Sequence, residues 1–166
     1  MNNEELFFEA ETRKHQQEVS KLLIKFAQLL LTRATEHDNS KLESPEREIF
    51  IEYTPKLKGT TFGSEEYNNY LKEMKVALDH HYANNKHHPE FNTINCFDLG
   101  MQSPVTGMHL VDVVEMLCDW MAASKRHANG NIAKSIEINE KRFNISNQLS
   151  QIFRNTTDIL YLTTDL

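Results

Sequence analysis

The chain is predicted to be all-α, a compact single-domain helical bundle. Three observations predict this. Apolar residues recur at three- and four-residue steps through most of the 166 residues, the repeat that lines one face of a helix. Glycine and proline number only 5 and 4, too few for the tight turns of an all-β fold. Hydrophobic residues at 39 % and charged residues at 25 % match an ordinary globular domain with a buried core.

The first helix is expected from about Glu4 to Glu36, with His15, Val19, Leu22, Leu23, Phe26, Leu29 and Leu30 on one face and no breaker inside it. Ser44-Pro45 followed by acids reads as the start of a second helix, running to about Tyr53. Thr54–Ser64, with one proline and two glycines, reads as an ordered loop. Ser64 with Glu65 and Glu66 opens a helix to about Asn85, its inner side marked by Tyr67, Leu71, Met74, Leu78 and His81. A loop of roughly twenty residues follows Pro89 and ends near Gly107. The most apolar helix spans Met108–His127 and closes on a turn at Asn129-Gly130. Helices over Ile132–Phe143 and from Ser146 to about Asn155 complete the pattern. One domain covers 1–166, with its core at about 4–155 and a tail at 156–166.

Charge and composition exclude several classes. A net charge of -6 argues against non-specific nucleic-acid binding through a basic face. The apolar runs Leu22–Leu31 and Leu110–Ala123 are too short and interrupted to cross a bilayer, and no leader pattern opens the chain. Cys96 and Cys118 form neither a disulfide framework nor a CxxC knuckle. A soluble cytoplasmic protein is expected.

Three clusters carry the candidate chemistry. His37-Asp38 lies at a helix end beside Ser40 and Lys41, where adjacent imidazole and carboxylate can ligate a metal together. His80-His81 and His87-His88 place four imidazoles within nine positions. A seven-residue step puts His81 and His88 on one face of a continuing helix, with His80 and His87 about a quarter-turn round. Asp112, Glu115 and Asp119 form a narrow acidic stripe on an otherwise apolar helix, and buried carboxylates need a partner or a metal. Together these residues supply the imidazoles and carboxylates that suit a divalent ion.

The order of these motifs resembles the HD-domain metal-dependent phosphohydrolases. His37-Asp38-Asn39-Ser40-Lys41 is similar to their HD-x-G-K signature, with Ser40 in place of glycine. Cys118-Asp119-Trp120-Met121-Ala122-Ala123 resembles the segment carrying the last aspartate, for which Asp112 competes. The chain also looks like a bacterial and phage family (DUF5662-like) sharing HDxSKLESPE, HHxxNxHHPE and EMLCDW segments, a likeness that brings no activity with it. The superfamily resemblance implies an HD-like fold binding one or two divalent ions (Mn, Fe, Mg, Co or Zn). The implied ligands are His15, His37, Asp38, His81, His88 and Asp119. His15 and His37 lie 22 positions apart, roughly 33 Å on an unbroken helix, so they share an ion only if the chain turns back between them.

The expected activity is hydrolysis of a nucleotide or another small phosphorylated molecule. Asp112, Glu115 and Lys41 are the candidate catalytic residues. Lys56, Lys58, His80 and His87 are the candidate substrate contacts. The competing expectations are a non-catalytic module that sequesters a nucleotide or a partner protein, and a di-iron HD-type oxygenase. Partners are expected to be the small phosphorylated molecule and, optionally, a second copy in a homodimer, with no membrane.

Overall fold

The computed structural model describes residues 2–61, 63–126 and 130–162, and every regular element among them is helical. By contact the chain divides into two units, one up to His37 and one from Asp38 onward. The first is a single helix, α1 (Asn3–Glu36). A capping box starts it: the Asn2 side chain accepts the Glu5 N–H at 2.8 Å, and the Glu5 carboxylate accepts the Asn2 N–H at 2.8 Å. Glu4 and Glu5 face the positive end of the helix dipole. Nothing interrupts its 34 residues.

The second unit contains α2 (Glu46–Lys58), α3 (Glu65–Glu73), α4 (Lys75–Asn84), α5 (Thr93–Asp98), α6 (Leu110–Ser124), α7 (Ile132–Phe143) and α8 (Asn147–Leu162). Short 3-10 turns stand at Asn39–Leu42, Pro89–Asn92 and Pro104–Gly107.

Several boundaries differ from the sequence expectation. Ser44 caps nothing; Pro45, after a cis peptide bond, holds the cap position and Glu46 opens α2. α2 then runs through Pro55 to Lys58, because this proline sits on the exposed side of the last turn, where its missing N–H is least costly. The helix expected over 64–85 is two, divided at Met74, whose ψ of 3° leaves the helical range and whose side chain is wholly buried. That bend lets α4 bury Ala77 and His81, one turn apart. The long loop expected after Pro89 is folded into two 3-10 turns and α5. Gly107 allows the close approach there, since a Cβ on it would stand 2.8 Å from the Cys96 sulfur. The expected Met108–His127 helix is α6, and His127 and Asn129 lie outside the described residues. α8 continues beyond Asn155, where the Thr156 and Thr157 hydroxyls donate to the carbonyls of Ile152 and Arg154 at 2.7 and 2.8 Å.

The apolar core joins α6, α7 and α8. Val113, Met116 and Leu117 meet Ile136, Phe143, Ile145 and Phe153, with Trp120 edge-on to Phe153 at 5.9 Å. Val105 enters from the last 3-10 turn. Asn131 caps α7, and Asn144 ends it in a left-handed conformation. No helix among the described residues is long and apolar enough to cross a membrane.

Candidate metal centre

Asp38 opens the turn Asn39–Leu42 with φ 59°, a left-handed conformation that aspartate tolerates. The Lys41 ammonium, three residues on, donates to Asp38 Oδ2. The other oxygen, Oδ1, lies 3.2 Å from His81 Nε2 and 3.6 Å from His87 Nε2.

His81 comes from the buried side of α4. The helix stops at Asn84, Asn85 turns extended, and the His88 N–H bonds back to the Asn85 carbonyl at 3.1 Å. Buried Pro89 opens the next 3-10 turn. This reversal folds the second histidine pair onto the first. His81 Nε2 and His88 Nε2 are 2.9 Å apart, and the His87 and His88 rings are 4.2 Å apart between centroids. One oxygen of Asp38 and one nitrogen each of His81, His87 and His88 lie within 4.8 Å of one another.

The separations of Asp38 from His81 and His87, and of His81 from His88, suit a coordination shell. An ion with bonds of about 2.0–2.2 Å holds neighbouring donors about 2.8–3.6 Å apart in tetrahedral or octahedral geometry. The separations of 2.9, 3.2 and 3.6 Å fall in that interval. Imidazole nitrogens with a single carboxylate oxygen make a borderline donor set, one suited to Zn, Mn, Fe or Co more than to Mg. His88 is pushed down to about 3, first by burial and then by the neighbouring His87 and His81, with Asp119 pulling the other way. A neutral imidazole is the form that ligates.

Carboxylates stand behind two of the rings. Glu115 of α6, nearly buried, faces His87 Nδ1 at 3.2 Å. Glu46, fully buried at the start of α2, faces His81 Nδ1 and His80 Nδ1, each at 2.8 Å. Phe50 packs edge-on to His81, and Tyr82 lies 4.9 Å from His88.

The structure therefore gathers Asp38, His81 and His88 from the expected ligands and adds His87, expected at the substrate. Asp119 has a carboxylate oxygen within 4.8 Å of one on Asp38. Asp112 is buried one turn before Glu115, and its carboxylate accepts the His109 N–H at 3.2 Å as part of the α6 cap. His80 is half-buried, its Nδ1 turned to Glu46. His37 ends the first unit as the C-cap of α1, its N–H on the Arg33 carbonyl at 2.9 Å.

Two expectations are corrected. His15 is exposed on an unbroken α1, so roughly 33 Å of helix separates it from His37 and the two share no ion. Lys56 and Lys58 stand on the last turn of α2 and not in the loop expected over Thr54–Ser64. Lys56 bonds Glu52 at 2.6 Å and lies 4.1 Å from the Tyr53 ring centroid. The residue that sequence reading missed is Glu46. In SPERE it reads as an acid placed for the helix dipole, and nothing in the pattern signals its pairing with histidines 34 and 35 residues later.

Compared with known proteins, residues 4–165 match a family described as "Family of unknown function (DUF5662)". No curated protein and no solved structure matches.

Proposed function

Because the chain belongs to the DUF5662 family, whose description carries no activity, we propose its function from the side-chain cluster: a metal-dependent phosphohydrolase of the HD-domain kind, acting on a nucleotide or another small phosphorylated molecule. One observation carries this reading, the convergence of Asp38 Oδ1 with the Nε2 atoms of His81 and His87, joined by His88. Asp38, His81, His87 and His88 would hold the cation. Such an ion supplies Lewis acidity toward a phosphoryl oxygen and brings the pKa of a water near neutrality.

The chain's own groups divide the remaining work. One carboxylate against several neutral imidazoles leaves a divalent centre net positive, which favours an anionic substrate despite the acidic chain as a whole. Lys41 holds Asp38 by its outer oxygen and is partly exposed, a cation suited to a phosphate oxygen. Glu115 faces His87 Nδ1 and would orient that ring. Asp112 is committed to the α6 cap. Asp119, half-buried and near Asp38, is the carboxylate placed to ligate or to accept a proton from the attacking water.

The test is elemental analysis of untagged protein, followed by a nucleotide panel with added Mn²⁺, Mg²⁺ or Co²⁺. The expected result is at least one bound ion and turnover in wild type, both lost in Asp38→Ala. Protein that takes up no ion would overturn the reading. An ion with stoichiometric nucleotide binding and no product under any metal would replace hydrolysis with sequestration.

A further inference from the structure

Glu46 is 0 % exposed, and an ionised carboxylate so placed requires compensation from its neighbours. It stands at the first position of α2, where the helix dipole favours an acid. That accounts for an acid at the helix start but not for the aim of its two oxygens. Oε2 meets His81 Nδ1 at 2.8 Å and the Ser40 hydroxyl at 3.1 Å, and Oε1 meets His80 Nδ1 at 2.8 Å.

An ionised carboxylate only accepts, so the facing atoms must carry hydrogens. Ser40 donates its hydroxyl to Oε2 and accepts from Asn85 Nδ2 at 2.9 Å. Asn85 gives its other hydrogen to the His81 carbonyl at 2.8 Å. Its 3.0 Å approach to His81 Nδ1 then joins two donors and is a contact, not a bond. With His81 neutral, its 2.8 Å approach to Glu46 Oε2 puts the ring proton on Nδ1, and Ser40 Oγ at 3.2 Å from the same nitrogen is a contact. The lone pair is left on Nε2, the atom 3.2 Å from Asp38 Oδ1 and 2.9 Å from His88 Nε2.

We propose that Glu46 is a positioning residue for the metal centre: it fixes the tautomer and rotation of His81 so that Nε2 points at a bound divalent cation, and Ser40 and Asn85 hold it in that role. The inference rests on the metal-binding reading above and extends it to residues that touch no ion. A carboxylate behind a ligating imidazole raises the basicity of the far nitrogen and cuts the freedom lost on binding. A glycine at position 40 would have no hydroxyl for Oε2. Asn85 ends α4 and so couples the end of that helix to the same lock. His80 Nδ1 meets the other oxygen from its half-exposed side.

The test is calorimetric titration of metal-free protein with Zn²⁺, run on wild type, Glu46→Gln and Ser40→Gly. Glutamine keeps the shape but turns one acceptor into a donor, so it cannot accept from both imidazoles. The expected result is an unchanged number of ions with a Kd about 10- to 100-fold weaker in Glu46→Gln. Ser40→Gly is expected to weaken binding about 2- to 10-fold, the range for one lost hydrogen bond. Long-range ¹⁵N–¹H spectra of the histidine rings in zinc-loaded wild type should show His81 bound through Nε2 with its proton on Nδ1. This readout needs no variant and is blind to a merely structural role for Glu46.

A Glu46→Gln Kd equal to wild type, or His81 bound through Nδ1, would overturn the inference while leaving the metal centre standing. Wild type that takes up no Zn²⁺ would overturn both. If Glu46→Gln fails to fold, Ser40→Gly and the wild-type spectra decide the matter alone.

Discussion

The apolar core around Met116, Ile136 and Phe153 and the histidine cluster around His81 both lean on α6, yet they bury opposite chemistry. On the core side Val113, Met116 and Leu117 gain by leaving water, and each added contact is favourable without reference to direction. On the cluster side Glu46, His81, His87 and Glu115 are at most 8 % exposed, and each costs free energy unless a particular atom faces it. The core is thus held by area and the cluster by hydrogen-bond geometry. Losing a core side chain should cost stability and spare ligand binding in the molecules that remain folded. Losing a cluster side chain should weaken ligand binding and cost stability as well, because the buried partner it leaves behind has no facing atom.

The largest expected effect comes from the core. Phe153 is 2 % exposed and packs edge-on against Trp120. Phe153→Ala is expected to lose about 3–5 kcal/mol of unfolding free energy in a urea titration of the metal-free protein. Its affinity for Zn²⁺ should remain within about twofold of wild type, since distant independent sites add. A folded Phe153→Ala protein that no longer takes up metal would break the division between the two regions.

The next effect belongs to the cluster and appears as acid sensitivity. His88 is lowered to about 3 by burial and by His87 and His81, against 6.5 for the free side chain. Between those values the unfolded chain binds a proton that the folded chain does not. Stability from this group is therefore full above pH 6.5 and falls as the pH drops toward 3. One proton corresponds to a slope of about 1.4 kcal/mol per pH unit. His88→Gln, measured metal-free between pH 6.5 and 4, should show a shallower loss of stability than wild type. Equal slopes would move the acid-sensitive group elsewhere in the molecule.

Sequence carried the chemistry of the site further than its assembly. The HD pair, the doubled histidines and the acidic stripe are visible because imidazole and carboxylate are rare in such density. Which of them converge depended on where helices end. Counting turns put His88 beside His81 and His87 a quarter-turn off, but that arithmetic assumes a continuing helix. α4 stops at Asn84, and the reversal through Asn85 brings in both later histidines. The break at Met74 has no glycine or proline to announce it; what fixes it is the burial of Met74 and Ala77, a tertiary effect. Asp112, Glu115 and Asp119 share a stripe but divide into a cap, a support for His87 and a carboxylate near Asp38. Spacing alone treats them as equivalent. α8 outlasts its expected end, with Thr157 buried on its inner side and both threonine hydroxyls bonded to carbonyls of their own helix.

The smallest expected effect sharpens the comparison by testing a charge that belongs to neither region. Lys56 looks like a phosphate contact when read as part of a glycine-flanked loop. In the fold it sits on the last turn of α2, exposed and engaged with Glu52 and the Tyr53 ring. Its proton is held more firmly than usual, first by the bond to Glu52. An exposed pair of this kind contributes little to stability, so Lys56→Ala should change unfolding free energy by less than about 0.5 kcal/mol. If the phosphorylated substrate is held near Lys41, KM should also be unchanged in Lys56→Ala and raised in Lys41→Ala. A higher KM in Lys56→Ala alone would show that the substrate extends to the end of α2, and the anion-binding surface would then have to be redrawn away from Asp38.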